Sequence, residues 1–316
     1  MAKAVQQASS PLLPVDPMAA ASLSLKAALT QVGADIDRRL DVFLAIPDDP
    51  RANLYRAMRH SAIGGGKRLR PLLVVAAAKL FAISRERAVR VGCAIEALHV
   101  YSLIHDDLPC MDDADFRRGK LSVHKAFDEA VAVLAGDSLH ALAFEILAHP
   151  ATHDDPRVRS DLVLELARAA GPAGMAGGQM MDLVAEGQQL DLAAITRLQQ
   201  LKTGALIEYS VEAACVMAKL PHEARTPYRG YARNIGLAFQ IADDLIDHSG
   251  NSEAAGKPTG RDAHAGKATF VSLLGEERAR QQASFLVSQA IEHLSGNGDE
   301  ADLLRAIARF AIERDH

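Results

Sequence analysis

The chain of 316 residues has no tryptophan, only three cysteines and few aromatic residues, which make up 4% of the sequence. Cys93, Cys110 and Cys215 are odd in number and far apart, so neither a disulfide framework nor a zinc site is expected. A reducing, cytoplasmic environment is therefore predicted. The sequence also lacks an uninterrupted apolar run of about eighteen residues, so no membrane-spanning segment and no membrane partner are expected.

An excess of positive charge is missing as well. The net charge of −5 argues against a nucleic-acid partner, because proteins that bind nucleic acids present a basic face. Basic residues nevertheless cluster in segments 66–70, 117–120 and 261–267. Local positive patches on an acidic protein favour a small anionic ligand over a polymer.

Hydrophobic residues follow a helical period along most of the chain, and alternating strand patterns are scarce. Val91, Ala94, Ile95, Leu98 and Tyr101, for example, follow the i, i+3, i+4, i+7 rule. The breaks between helical segments are too short for a domain linker. The sequence therefore predicts one all-α domain, a large bundle of about ten helices.

The predicted domain covers residues 25–316. Residues 1–24 are rich in alanine, serine and proline, which predicts a flexible N-terminal tail. They lack a basic start followed by an apolar stretch, so no signal peptide is expected.

A predicted helix over 234–247 is apolar nearly all round, and such a helix is expected to be buried. Its exception is a polar seam spaced at three and four residues, which predicts one common side. The seam consists of Gly236, Gln240, Asp243, Asp244 and Asp247. Asp243 and Asp247 lie one turn apart with like charges, which is unfavourable without a counter-ion. The apolar surroundings disfavour a solvated face and predict a cation site.

A second aspartate group, Asp106, Asp107 and Asp112, ends another long predicted helix. Pro109 disfavours the helical conformation at Leu108, so the chain is expected to loop there and bring Asp112 back toward Asp106. Oxygen-only ligands grouped in this way suit Mg²⁺, which shares its shell with waters and substrate phosphates. A calcium site is the alternative, although the EF-hand pattern fails.

Glycines mark three further segments. Lys202-Thr203-Gly204 lies inside a helical pattern, where a glycine beside a β-branched residue predicts a kink that frees backbone carbonyls. The alternative is an ordinary exposed lysine near a packing glycine. The glycines of segment 174–178 indicate close helix packing rather than chemistry. Segment 64–71 is a turn whose N–H groups can face an anion.

Taken together, these segments resemble the trans-isoprenyl diphosphate synthases. Residues 105–113 with 117–119 are similar to the first aspartate-rich motif of that family, and residues 239–247 are similar to the second. The remaining segments, 66–71, 174–182 and 202–204, follow in the family's order. The first motif has two extra residues between its aspartates, as in the bacterial members that make farnesyl diphosphate.

The resemblance implies an all-α isoprenoid-synthase fold around a central cavity and a homodimer. It also implies head-to-tail condensation of isopentenyl diphosphate with dimethylallyl or geranyl diphosphate to farnesyl diphosphate, assisted by about three Mg²⁺ ions. The implied metal ligands are Asp106, Asp107, Asp112, Asp243 and Asp247. The implied catalytic residues are Arg117, Lys202, Thr203 and Gln240.

The resemblance assigns substrate-binding roles to Lys67, Arg70, His99, Arg117, Arg118, Lys202, Thr203, Gln240, Lys257 and Lys267. Whether Lys257 or Lys267 reaches the diphosphate stays open. Tyr101, with Ser102 beside it, is implied to form the floor that limits product length. Five residues of ideal helix between Tyr101 and Asp106 rise about 7.5 Å and turn about 140°, so geometry alone does not place Tyr101 there.

Three alternatives stay in view. A geranylgeranyl diphosphate synthase would differ mainly in the depth of its tunnel. A terpene cyclase would line its pocket with aromatic residues, which this chain has few of. A non-catalytic partner subunit would be expected to lose aspartates from one group, and both groups are intact.

Overall fold

The structure is a computed structural model that describes residues 17–185, 187–188, 190–249 and 268–313, with side chains from residue 24 onward. This part of the chain contains twelve α-helices of eight or more residues and one two-stranded ribbon. The predicted all-α architecture is confirmed. Lys257 and Lys267 lie outside the described residues.

The first seven helices are α1 (Pro17–Phe43), α2 (Ala52–Ala62), α3 (Leu69–Leu80), α4 (Arg85–Asp106), α5 (Val123–Ala126), α6 (Glu129–Ala148) and α7 (Pro156–Ala170). The remaining helices are α8 (Met175–Val184), α9 (Leu192–Gln199), α10 (Ala205–Met217), α11 (Thr226–Ser249), α12 (Phe270–Leu274), α13 (Glu276–Glu292) and α14 (Asp302–Phe310). A π-helical turn (Gln200–Gly204) joins α9 to α10, and 3₁₀ turns cover Glu223–Arg225 and Asp299–Ala301.

Helix α1 begins at Pro17, inside the predicted tail. The alanine-rich stretch after Pro17 explains the difference. Alanine is the best helix former, and proline fits the first turn of a helix because its missing N–H has no partner there anyway. A composition that is typical of a loose tail therefore also favours a helix from residue 17 onward.

Helices α3, α4, α10 and α11 form the centre of the bundle. Residues 71–78 of α3 are all buried, and so are residues 206–217 of α10 apart from Glu208, as expected for helices that are hydrophobic nearly all round. Helix α4 packs against α3 and α6, and α10 packs against α3, α7 and α11. This central group holds the C-terminal end of α4, the π-helical turn and one side of α11 in fixed positions.

Helix α6 has an unusual composition for the bundle's periphery. By length and hydropathy it is the one described helix that could cross a membrane, and 39% of its apolar window is buried inside the protein. Its outer face carries exposed Val133 and Leu134. A partly buried core helix passes the same criterion, so this feature is weak evidence for a membrane span.

A short hairpin was not predicted from the sequence. Strands β1 (Phe116–Arg117) and β2 (Lys120–Leu121) pair antiparallel, with Arg117 opposite Lys120. The two residues between them, Arg118 and Gly119, have φ values of 53° and 77°. Positive φ at both central positions is what a type I′ hairpin turn requires. Arg-Gly takes the place of the usual Asn-Gly, which hid the signal.

Candidate active site

The first aspartate group lies where α4 ends and the chain folds back on itself. The Asp112 N–H donates to the Asp106 carbonyl at 2.9 Å, and the Ala114 N–H donates to the Asp107 carbonyl at 3.2 Å. The Leu108 carbonyl accepts from the N–H of Met111 at 2.9 Å. The predicted return of Asp112 toward Asp106 is confirmed, and backbone hydrogen bonds hold it.

The Asp106 side chain is half-buried, and its pKa is raised to about 6. Burial is the main cause, and the neighbouring Asp112 and Asp107 carboxylates raise the pKa further. Lys202 and Arg117 act in the opposite direction but do not compensate. An incompletely neutralised carboxylate group of this kind favours an added cation.

Asp107 has a different environment from Asp106 and Asp112. Its side chain is 3% exposed, and its Oδ1 accepts from Arg117 Nε at 2.9 Å and from Arg117 Nη2. Because Arg117 lies on β1, this contact ties the hairpin to the end of α4. Asp107 thus fixes the position of Arg117 beside the aspartate loop.

The polar seam of α11 divides into two sides. Gln240 and Asp247 are half-buried and Asp243 is exposed, whereas Asp244 is buried. The Asp244 Oδ2 accepts from the Phe270 N–H at 2.7 Å, at the first residue of α12. Asp244 therefore lies at the buried edge of the seam and Asp243 at its exposed edge, because neighbouring residues are about 100° apart around the helix.

A π-helical turn at Gln200–Gly204 confirms the predicted irregularity at Lys202. Such turns break the α-helical hydrogen-bond ladder and are frequent at functional sites. A Cβ at Gly178 of α8 would lie 2.2 Å from the Lys202 backbone nitrogen, and one at Gly236 of α11 would lie 3.5 Å from the Gly204 Cα. Close packing at Gly178 was predicted, and Gly236 shows that α11 also approaches the turn.

Lys202 points from this turn toward acidic partners. Its Nζ donates to Asp182 Oδ2 of α8 at 2.7 Å, and its charge lowers the pKa of Asp106 against the larger effect of burial. Thr203 is half-buried next to it. Asp182 belongs to segment 174–182, which the sequence indicates only as close helix packing, although its place four residues after Gly178 was a usable signal for a role at the site.

A basic group lies beside the aspartate loop. His99 on α4 has a pKa well below its ordinary value because it is buried and because Arg70 and Arg118 lie close to it. Arg118 Nη2 is 3.5 Å from His99 Nε2. The Arg70 Nε is fully buried and has no hydrogen-bond partner among the described residues. Lys67 is exposed at the rim. The surplus of donors and positive charge suits an anion.

Each aspartate group exchanges electrostatic influence with a basic residue of the site. Lys202 acts on Asp106 of the first group, and Asp243 of the second group acts on Arg70. Burial lowers the pKa of Arg70, and the carboxylates of Glu96 and Asp243 oppose that effect. The end of α4, the start of α3, the π-helical turn and α11 therefore border one polar site.

Tyr101 is a residue of α4, and its ring packs between α4 and α6. Its ring centroid is 4.9 Å from that of His140 and 5.2 Å from that of His105, and His140 in turn contacts Phe144 at 5.1 Å. The contacts are edge-on, as aromatic pairs prefer. The Ser102 hydroxyl donates to the His99 carbonyl at 2.8 Å, within its own helix.

The donor set suits Mg²⁺ because it consists of carboxylate oxygens, and burial raises the pKa of two of the carboxyl groups, those of Asp106 and Asp107. Within the described ranges, no three histidine, cysteine or acidic side chains converge into a ready-made metal cage. Mg²⁺ in proteins is often bound by one or two carboxylates together with substrate phosphates. The dispersed aspartates fit that mode, in which the substrate completes the coordination.

Comparison with known proteins identifies relatives over most of the chain. The polyprenyl synthetase family model matches residues 51–309. Farnesyl diphosphate synthase of Bacillus subtilis (strain 168) is 40% identical over 89% of this chain and 95% of its own length. Geranylgeranyl pyrophosphate synthase 4 of Arabidopsis thaliana is 38% identical over 93% of this chain and 79% of its own.

A solved structure of similar shape is the apo FPP/GFPP synthase from Zymomonas mobilis. It has a TM-score of 0.84 and 57% sequence identity, over 92% of this chain and 99% of that one.

Proposed function

The chain belongs to the polyprenyl synthetase family, and from this premise we propose that it is a farnesyl diphosphate synthase. It is a transferase that elongates prenyl chains head-to-tail. The proposed reaction joins isopentenyl diphosphate to dimethylallyl or geranyl diphosphate. The observation that carries the proposal is the aspartate loop at the end of α4, where the Asp112 N–H donates to the Asp106 carbonyl and Arg117 donates to Asp107.

The allylic diphosphate is proposed to bind between the aspartate groups and the cations around them. Asp106, Asp112 and Asp243 would hold about three Mg²⁺ ions, whose chemistry there would be neutralisation of the negative charge of the leaving diphosphate. Arg117, which donates to Asp107, and Lys202, which donates to Asp182, are proposed to donate to the same phosphates as well. Asp247, one turn beyond Asp243, is the remaining proposed ligand.

Isopentenyl diphosphate is proposed to bind to the basic group formed by Arg70, His99 and Arg118, with Lys67 at the rim. The unpartnered Arg70 Nε supports this assignment, because a buried donor without a partner is costly and a phosphate oxygen would satisfy it. Burial and the neighbouring arginines lower the pKa of His99, which favours its neutral imidazole. It can therefore donate one hydrogen bond without further positive charge.

Ionisation of the allylic substrate leaves a carbocation that must be stabilised and kept from water. Carbonyls of Lys202 and Thr203 in the π-helical turn, together with the Gln240 side chain, are proposed to face it. The Gly236–Gly204 approach supports this placement, because Gln240 follows Gly236 by one turn on the same face of α11. The double bond of isopentenyl diphosphate then attacks, and a proton leaves to the departed diphosphate.

Product length is proposed to depend on Tyr101 of α4, whose ring packs edge-on against His140 of α6. A twenty-carbon product is the second candidate, because a geranylgeranyl pyrophosphate synthase matches the chain over most of its length.

The test is chain-length analysis of products from isopentenyl and geranyl diphosphates, with Mg²⁺ and with EDTA. A metal-dependent fifteen-carbon product supports the proposal. No product with Mg²⁺ would favour a non-catalytic subunit.

A homodimer is proposed, with the outer face of α6 as its interface. Val133 and Leu134 on α6 are 41% and 55% exposed, and Leu164 on α7 is 47% exposed. A second copy would remove this apolar surface from water. Sedimentation equilibrium should give a dimer, and Leu134→Glu should shift it toward monomer. A monomeric wild-type protein would contradict the assignment.

A cytoplasmic location is proposed as well. All three cysteines are unpaired, and Cys110 is exposed. Free exposed thiols persist in a reducing compartment.

A further inference from the structure

Glu96 is a buried carboxylate that the proposed mechanism does not use. It lies on α4 one turn before His99 and is 2% exposed. A buried charge is costly unless it is paired. Its partners are arginines: Oε1 accepts from Arg68 Nη1 at 2.6 Å and lies 4.0 Å from Arg118 Nη1.

Arg68 and Arg70 come from the same basic segment but have different environments. Arg68, whose side chain is 3% exposed, donates to three acceptors: Glu96, the Asp37 carboxylate at 2.5 Å and the Ala62 carbonyl at 2.6 Å. These contacts keep Arg68 away from any ligand. The Arg70 Nε, in contrast, has no partner among the described residues.

Arg118 is held from two sides. Its guanidinium lies over Gly66, where an added Cβ would come within 2.5 Å of Arg118 Cζ, and Gly66 has a φ of +79°. The Glu96 carboxylate lies on its other flank and supports its charge, as it does that of Arg70. Burial lowers the pKa of both arginines, and Glu96 is the carboxylate that raises it in both; the two arginines in turn add to the effect of burial in lowering the pKa of His99.

We infer that Glu96 is a positioning residue, which holds Arg118 and Arg70 in the orientation that receives the diphosphate of isopentenyl diphosphate. This inference rests on the proposed function of the site. A preorganised pair of arginines binds an anion more tightly, because less side-chain ordering remains to be done on binding. Glu96 affects the isopentenyl substrate only, since the allylic diphosphate is bound by other residues.

The test compares two isosteric substitutions, Glu96→Gln and Asp37→Asn. Each removes one carboxylate charge from Arg68 and keeps an oxygen acceptor, but only Glu96 lies near Arg118. Glu96→Gln should raise KM for isopentenyl diphosphate about tenfold, with kcat and KM for geranyl diphosphate unchanged. Asp37→Asn should leave all three within about twofold. An unchanged KM in Glu96→Gln, or an equal rise in Asp37→Asn, would overturn the inference.

Two further measurements keep the test decisive. If Glu96→Gln does not fold, a double variant that combines Glu96→Gln with Arg68→Met removes the buried ion pair as a whole. This double variant should still show a raised KM for isopentenyl diphosphate, and a wild-type KM would overturn the inference. Calorimetric titration with inorganic diphosphate should show weaker binding to Glu96→Gln than to Asp37→Asn, and equal binding counts against it. Wild-type turnover is measured first, so failure of the proposed function appears there independently.

Discussion

Replacing Asp106 by asparagine should stabilise the metal-free protein while it destroys activity. The pKa of Asp106 rises from 3.8 to about 6, with burial as the main cause. At about 1.36 kcal/mol per pKa unit, the ionised carboxylate costs the folded state roughly 3 kcal/mol. Because folding raises the pKa, the folded state binds the Asp106 proton more tightly than the unfolded state does. The stabilisation by the protonated carboxyl is fully present below about pH 3.8 and is lost as the pH rises through about 6.

The increase in the free energy of unfolding on Asp106→Asn should therefore be largest near pH 8, fall to about half near pH 5 and vanish below about pH 4. Urea unfolding in EDTA, followed by far-UV circular dichroism at several pH values, measures it. Asp137→Asn, an exposed aspartate on α6 with a 66% exposed side chain, is the matched control. A variant no more stable than wild type near pH 8, or a gain independent of pH, would refute the reasoning.

Three further outcomes are expected. Tyr101→Ala removes the ring that contacts His140 and should lengthen the product by at least one isoprene unit in product analysis; an unchanged fifteen-carbon product would count against the floor role. Gly178→Ala places a methyl group 2.2 Å from the Lys202 nitrogen and should lower kcat at least tenfold, whereas Gly296→Ala, in open space, should not; equal rates would contradict this. Addition of EDTA should abolish condensation, and excess Mg²⁺ should restore it; turnover that persists in EDTA would argue against a metal-dependent site.

Local signals in the sequence predicted a large part of the site. The apolar surround of the α11 seam predicted a buried helix, and Pro109 predicted the loop that returns Asp112 to Asp106. Lys202-Thr203-Gly204 predicted the irregular turn. These features depend on neighbours within a few residues, so periodicity and turn chemistry are enough to find them.

The remaining features depend on partners far apart in the chain. Glu96 pairs with Arg68, 28 residues away, and Asp244 meets Phe270, 26 residues away. The signal at Glu96 was a single charge inside an otherwise apolar helical pattern, which marks a buried partner without identifying it. The roles of Lys257 and Lys267 stay predictions, because both residues lie outside the described part of the chain.

The central claim is that aspartates from α4 and α11 serve one metal-dependent condensation site. The most direct measurement is the initial rate of farnesyl diphosphate formation from geranyl and isopentenyl diphosphates, titrated with Mg²⁺, for wild type, Asp106→Asn, Asp243→Asn and the control Asp137→Asn. We predict that the rate rises with Mg²⁺ in wild type and in the control. At the same Mg²⁺ concentration, the rates of Asp106→Asn and Asp243→Asn should each be lower than that of wild type by at least about 100-fold. A wild-type rate in Asp106→Asn or Asp243→Asn would contradict the account.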